Sequence, residues 1–196
     1  MIAVIRYSAG NVLSVMNALA RIGKDAVLTD DPAVISKADH VIFPGVGEAS
    51  SAMQYLREHG LDEVIKGLRQ PFLGICLGMQ LMCSSSEEGD ASCLGIFPEH
   101  VTLFPRDRGY KIPHMGWNSI NGLSGPLFNR SSNGEYVYFV HSYYVPLSEH
   151  ASAMTEYDGF SFSAALSKDN FHGVQFHPEK SGEAGERILR SFLEDL

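Results

Sequence analysis

The sequence predicts a three-layer α/β fold on a mostly parallel central sheet, with additional antiparallel β structure in its second half. Three observations lead there. In the first half, short apolar runs alternate with stretches of helical spacing, the pattern of βαβ units. Those runs are apolar on both faces, as strands covered by helices on both sides must be. In the second half, strand-like runs separated by turn residues follow one another, and a helix returns only at the end.

The elements fall in order. "IAVIRY" (Ile2 to Tyr7) reads as the first strand. Val12, Val15, Met16, Leu19 and Ala20 then recur at helical spacing, and Gly23 stops that helix. "DAVLTD" and "ADHVIFP" are the second and third strands. Helical patterns run from Glu48 to Glu58 and from Asp62 to Gln70. "PFLGI" is the fourth strand, and a helix is expected after Gly78. Further strands are predicted in "GIFPEHVTLF", "MGWNSI", "EYVYFVHSYYV", "SAMTEY", "FSAALS" and "FHGVQF". Ile188, Leu189, Phe192, Leu193 and Leu196 form the apolar stripe of a closing helix. The polar run "SSSEEGDAS" is expected to be a surface loop, and residues 1–196 to be one domain.

Composition narrows the class of function. The 196 residues suffice for one sizeable core, and a 44% hydrophobic content fits an ordinary globular chain. The formal net charge of −8 argues against a nucleic-acid partner, which needs a basic face. No apolar run approaches the ~18–20 residues of a membrane span, and the first residues lack a signal-peptide pattern. Three cysteines, at 76, 83 and 93, match no metal-clamp spacing, so reduced thiols, a cytoplasmic location and no metal or other cofactor are expected.

In open α/β sheets ligands bind beyond the carboxyl ends of the strands. The third strand runs into "PGVG" (Pro44 to Gly47), and the fourth into Cys76 within "GICLG". A nucleophile between strand and helix needs small neighbours, supplied by Gly74 and Gly78. The helix start favours a thiolate, the reactive form. On its own, Cys76 could equally be a small core residue. A base candidate changes the balance: "GVQFHPE" is a strand ending in His177, with Glu179 two residues on. In an extended segment residues two apart share a side, so Glu179 can orient the imidazole as the third member of a triad does. The glycines of "PGVG" let a backbone N–H near Gly45 and Val46 point at an oxyanion, with the Leu77 N–H as second donor. Cys83 is expected in the core. Most histidines, such as His59 and His100, have polar surroundings and need no role.

Taken together, "PGVG", "GICLGMQ" and "QFHPEKSG" resemble the class I glutamine amidotransferase family, whose domain is flavodoxin-like. "GMQ", "PHMGWN" (Pro113 to Asn118) and "YFVHSY" (Tyr138 to Tyr143) resemble its imidazole glycerol phosphate synthase branch. The likeness runs from "AGN" near residue 9 to the closing helix. Arg6 departs from it, since many relatives carry an acidic residue there. The resemblance implies a glutaminase with a Cys76–His177–Glu179 triad, working through a thioester. It assigns Gly47, Gln80, Glu88, Ser142 and Tyr143 to glutamine. It also implies a (βα)8-barrel cyclase partner that receives ammonia for histidine biosynthesis. Asn11, Ser14, Met115, Trp117, Asn118, Tyr138 and Lys180 fall at interface or ammonia-passage positions. A stand-alone cysteine hydrolase of similar fold, or a binding module with a dead site, are the competing expectations.

Overall fold

The structure, a computed structural model, describes residues 1–7, 11–106, 109 and 111–196. Ala9 and Gly10 of the "AGN" segment therefore lie outside the described residues. The first half of the chain runs β1 (Ile2–Ile5), α1 (Val12–Arg21), β2 (Ala26–Thr29), α2 (Pro32–Lys37), β3 (His40–Gly45), α3 (Ala49–Glu58), α4 (Leu61–Gly67), β4 (Phe72–Cys76) and α5 (Leu77–Leu81). The second half adds β5 (Ser85–Ser86), β6 (Ala91–Ser92), β7 (His100–Leu103), β8 (His114–Ile120), β9 (Glu135–His141), β10 (Tyr143–Tyr144), β11 (Ala151–Tyr157), β12 (Phe160–Lys168), β13 (Phe171–Val174) and α6 (Gly182–Glu194).

The main sheet has the order β11-β12-β13-β4-β3-β1-β2. Its pairings from β2 through β13 are parallel, and β12 and β11 add antiparallel strands beyond β13. The remaining strands form a small sheet, β10-β7-β5-β6, and a two-stranded ribbon, β8-β9. Strand periodicity divides the core cleanly. Ile2, Val4, Ile42, Leu73 and Ile75 point to one face, where Val15, Leu19, Ile188 and Phe192 cover them. Ala3, Ile5, Val41, Phe43 and Phe72 point to the other, against Met53, Leu56, Ile65 and Met79. The expectation of a three-layer, mostly parallel fold holds.

Several local expectations need correction. α2 escapes a periodicity search because six residues hold too few apolar repeats. Its start signal is nonetheless present: Asp31 accepts from the Ala33 N–H at 2.8 Å and Pro32 occupies the first turn. α4 stops at Gly67 rather than Gln70, because Leu68 is already extended. The segment "SSSEEGDAS" is not plain loop. It folds back as the pair β5-β6 around a 3-10 turn at Glu88–Asp90. Nor do most histidines sit among solvated groups. His59 and His100 are exposed, but His114, His141, His172 and His177 are buried.

His114 and His141 share a hydrogen bond of 3.0 Å between Nδ1 and Nε2, and His141 Nδ1 faces the Tyr143 carbonyl at 2.7 Å. A carbonyl only accepts, so His141 carries its proton on Nδ1 and His114 donates to it. Burial pushes the pKa of His141 down to about 3 and those of His114 and His172 to about 4. In the unfolded chain these groups take up protons near pH ~6.5. The unfolded state therefore binds more protons between those values, so stability falls as the pH drops from about 6.5 towards 4. Thermal melting across that window should show the midpoint falling, by roughly 1.4 kcal/mol per pH unit for each such group. His141→Gln should lower the midpoint at neutral pH and flatten the acid slope.

Candidate active site

Cys76 ends β4 and caps α5 in one residue, with φ 54° and ψ −110°. A non-glycine residue held at positive φ is strained, and strain of this kind persists only where the surroundings over-determine it. Here the surroundings include Gly45 and Gly74, each in contact with Gly78. A Cβ on Gly74 would stand 2.6 Å from the Gly78 carbonyl oxygen, one on Gly78 would stand 2.0 Å from the Phe43 carbonyl oxygen, and one on Gly45 would stand 2.4 Å from the Gly78 nitrogen. β3, β4 and the first turn of α5 therefore touch backbone to backbone. The helix begins at Leu77, two residues earlier than a start after Gly78, because Gly78 serves contact with β3 rather than helix initiation.

His177 lies beyond β13, and the parallel pairing of β13 with β4 brings it beside Cys76. His177 Nδ1 and Glu179 Oε1 are 2.7 Å apart, with both side chains 1% exposed. With Nδ1 so engaged, Nε2 is buried without a hydrogen-bond partner among the described residues, on a ring that lines the same cavity as Cys76. Burial opposes a charge on His177, but Cys76 and Glu179 outweigh it and raise its pKa to about 10. Glu179 Oε1 also accepts from Asn11 Nδ2 at 2.9 Å, so the start of α1 secures the carboxylate.

The cavity measures about 320 Å³. It is also lined by Val46, Gly47, Leu77, Gln80, Glu88, Ser142 and Tyr143. Every residue expected to meet the substrate thus faces one space. Glu88 accepts from the Ala49 N–H at 3.0 Å, and burial raises its pKa. Gln80 is 4% exposed, and its Nε2 donates to the Tyr143 carbonyl and to Gln175 Oε1, both at 2.9 Å. Val46 has a specific restraint: its N–H donates to the Tyr7 hydroxyl at 3.1 Å, and the same hydroxyl is 3.2 Å from its carbonyl oxygen. Neither Tyr7 nor Gln175 stands out from the sequence. Gln175 lies inside a quoted motif, and Tyr7 closes an apolar run, with no spacing to link either to the cavity.

The residues expected at an interface divide into two groups. Trp117 pairs with Tyr138 across β8 and β9, with ring centroids 6.1 Å apart, and Lys180 Nζ sits 5.9 Å from the Tyr138 centroid. Met115, Trp117 and Tyr136 are exposed on that ribbon. Val140, on the same side of β9, lines the cavity. Asn11, Ser14 and Asn118 are half-buried, and each is hydrogen bonded within the protein. Ser14 Oγ and Asn11 Oδ1 hydrogen bond at 2.5 Å, and Asn118 Nδ2 donates to the Glu156 carbonyl at 2.7 Å. Arg6 is exposed and pairs with Asp30 at 2.8 Å, away from the cavity.

The model of the class-I glutamine amidotransferase family matches residues 8–196. An imidazole glycerol phosphate synthase subunit HisH from Bacteroides fragilis is 60% identical over 194 residues, covering 98% of each chain. HisH from Bacteroides thetaiotaomicron is 55% identical, again over 98% of each chain. HisH 2 from Legionella pneumophila is 47% identical over 98% of this chain and 97% of its own. Among solved structures, PurLQS from Thermotoga maritima superposes with a TM-score of 0.74 at 18% identity, covering 99% of this chain and 97% of that one. A glutamine amidotransferase from Thermotoga maritima gives a TM-score of 0.61 at 19% identity, covering 100% and 83%. These two likenesses speak to the fold alone. The chain belongs to the class-I glutamine amidotransferase family and, within it, to the imidazole glycerol phosphate synthase HisH subunits. It is an enzyme of that class.

The glycine contacts make a test of the elbow. Gly78→Ala should cost about 3 kcal/mol, because its Cβ meets backbone that cannot yield. Gly67→Ala, in exposed helix with nothing within 4 Å, should stabilise by roughly 0.5–1 kcal/mol. Urea denaturation of the two variants reads both signs.

Proposed function

We propose that this chain is the glutaminase subunit of an imidazole glycerol phosphate synthase, acting as one domain in the cytoplasm. It hydrolyses glutamine to glutamate and ammonia, and hands the ammonia to a (βα)8-barrel cyclase subunit for histidine biosynthesis. The observation that carries the chemistry is the strained Cys76 facing a buried His177–Glu179 pair in one cavity.

The steps follow from the groups present. The Cys76 thiolate attacks the side-chain amide carbon of glutamine, and charge develops on the amide oxygen. The Leu77 N–H, at the first position of α5 where no intrahelical partner is available, serves as a donor to that oxyanion. His177, charged through Nε2, protonates the departing ammonia and leaves a thioester on Cys76. The now neutral His177 takes a proton from water, which attacks the thioester and releases glutamate. Glu179, held by Asn11, keeps the imidazole in the required tautomer. Glu88 offers a carboxylate to the substrate's ammonium group. Gly47, Gln80, and the backbone at Ser142 and Tyr143 line the space for the rest of the amino acid.

The exposed ribbon face of Met115, Trp117 and Tyr136 supports a protein partner, because large apolar and aromatic groups there adjoin the cavity wall at Val140. Tyr138 and Lys180 border that face, and Asn11, Ser14 and Asn118 lie behind it as supports for the triad and ribbon. The second oxyanion donor, from the Gly45–Val46 segment, is withheld while the Val46 N–H donates to Tyr7. Docking of the cyclase turns that peptide towards the substrate, which makes turnover depend on the partner.

Cys76→Ala should cut ammonia release at least ~1000-fold in a coupled glutamate assay. Wild-type turnover should be low alone and rise when the cyclase and its nucleotide ligand are added. Turnover indifferent to the cyclase would instead indicate a stand-alone hydrolase. Tyr7→Phe removes both hydrogen bonds to Val46 and should raise the partner-free rate about 10-fold, while changing the complex little. Unchanged basal turnover in that variant would refute the restraint.

A further inference from the structure

Gln175 is wholly buried at the end of β13, where its N–H donates to the Ala164 carbonyl at 2.8 Å. Its side chain turns towards α5 and bridges two groups of the site. Oε1 accepts from Gln80 Nε2 at 2.9 Å, and Nε2 is 3.6 Å from Cys76 Sγ, 99 residues away in the chain.

The direction of this amide follows from its neighbours. The Tyr143 carbonyl can only accept, so the Gln80 atom facing it is nitrogen. The second hydrogen of that nitrogen faces Gln175, which must answer with its oxygen. The Gln175 nitrogen is then left facing the sulfur. Turning the amide over would set two NH2 groups against each other in a dry interior and leave the sulfur beside an oxygen. The chain Tyr143 O, Gln80, Gln175, Cys76 therefore has a single sense, from a substrate-facing backbone carbonyl to the nucleophile.

Such a donor discriminates between the forms of the sulfur. A thiol can give its S–H to the Val140 carbonyl, which lies 3.9 Å from Sγ. A thiolate cannot, and is held by N–H donors, for which it is the stronger acceptor. We propose that Gln175 is a positioning residue for the nucleophile: its Nε2–H holds the Cys76 thiolate in the elbow, and Gln80 fixes Gln175 for that task. The inference rests on Cys76 being the nucleophile of the proposed glutaminase, but its test does not need glutamine.

The test is carbamidomethylation of Cys76 by iodoacetamide, followed by peptide mass spectrometry so that Cys83 and Cys93 are counted separately. Gln175→Leu removes the donor at similar volume. Gln175→Glu keeps an acceptor for Gln80 and presents the sulfur with oxygen. At pH 7.5 both should slow labelling of Cys76 by about 10- to 100-fold, with Glu the slower, and the pH profile of labelling should move to higher pH. In glutamine turnover with the cyclase, kcat should fall by a similar factor while KM changes less than ~3-fold. Labelling of Cys76 within ~2-fold of wild type in Gln175→Glu, with its melting midpoint preserved, would overturn the proposal. If Gln175→Leu does not fold, Gln175→Glu alone decides. Slowed labelling in a chain that releases no ammonia from glutamine would leave the role of Gln175 standing and refute the glutaminase reading.

Discussion

Between Ile75 and Leu77 the backbone passes from strand to helix through a single residue at φ 54°, with Gly45 and Gly74 each packed against Gly78 beside it. No side chain fits at those three positions, so β3, β4 and α5 approach to backbone contact. That approach brings the Val46 and Leu77 amides to the same end of the sheet as the sulfur. It also exposes Sγ to a cavity instead of burying it among the neighbouring Leu73 and Ile75 side chains. The strained conformation is maintained because the neighbours that could relax it are themselves backbone, in the paired strands β3 and β4 and in the first turn of α5.

Around this turn, polar groups converge from distant parts of the chain, and each is held by something behind it. Asn11 from the start of α1 secures Glu179, which secures His177. Tyr143 from β10 orients Gln80, which orients Gln175. The His114–His141 pair braces the same carbonyl from the other side. Such networks strengthen when fully satisfied and are costly when broken, because the interior offers no water to replace a lost partner. A buried imidazolium beside a carboxylate is tolerable here only because Cys76 and Glu179 both favour its charge.

The cavity and the exposed face of the ribbon share a wall at Val140, so a partner docked as proposed lies close to the chemistry. Val140 reaches the cavity, and the same side of the ribbon carries Tyr138, Trp117 and Met115 outward. The Gly45–Val46 segment, which we propose supplies an oxyanion donor, is held less tightly than the elbow. Gly47 at φ 114° is free of side-chain constraint, and the Val46 peptide is held by one hydroxyl rather than by a strand ladder. A peptide held by one side chain can be turned by a modest rearrangement, whereas the elbow beside it cannot move without unpacking the sheet.

Much of this was legible from residue order. The parallel sheet, the two-sided strands and the elbow at Cys76 depend on local spacing, which a sequence carries directly; the His177–Glu179 pairing was expected from an extended run, but a 3-10 turn at Pro178–Lys180 makes it. Two expectations failed for a local reason: α2 and the β5-β6 pair are too short to show a period. Others failed because burial depends on what packs overhead. His114 and His141 look no different in sequence from the exposed His59 and His100. Nothing in the spacing links Asn11 to Glu179, whose carboxylate its amide meets from 168 residues away. By itself the sequence determined the fold class and singled out Cys76 and His177 as the candidate nucleophile and base, since each is written in a motif a few residues long. Only the tertiary structure decided that Tyr7 holds the Val46 peptide and that Gln175 faces the sulfur. Those contacts join segments far apart in the chain, and the direction of a buried amide is set by its neighbours rather than by its own type.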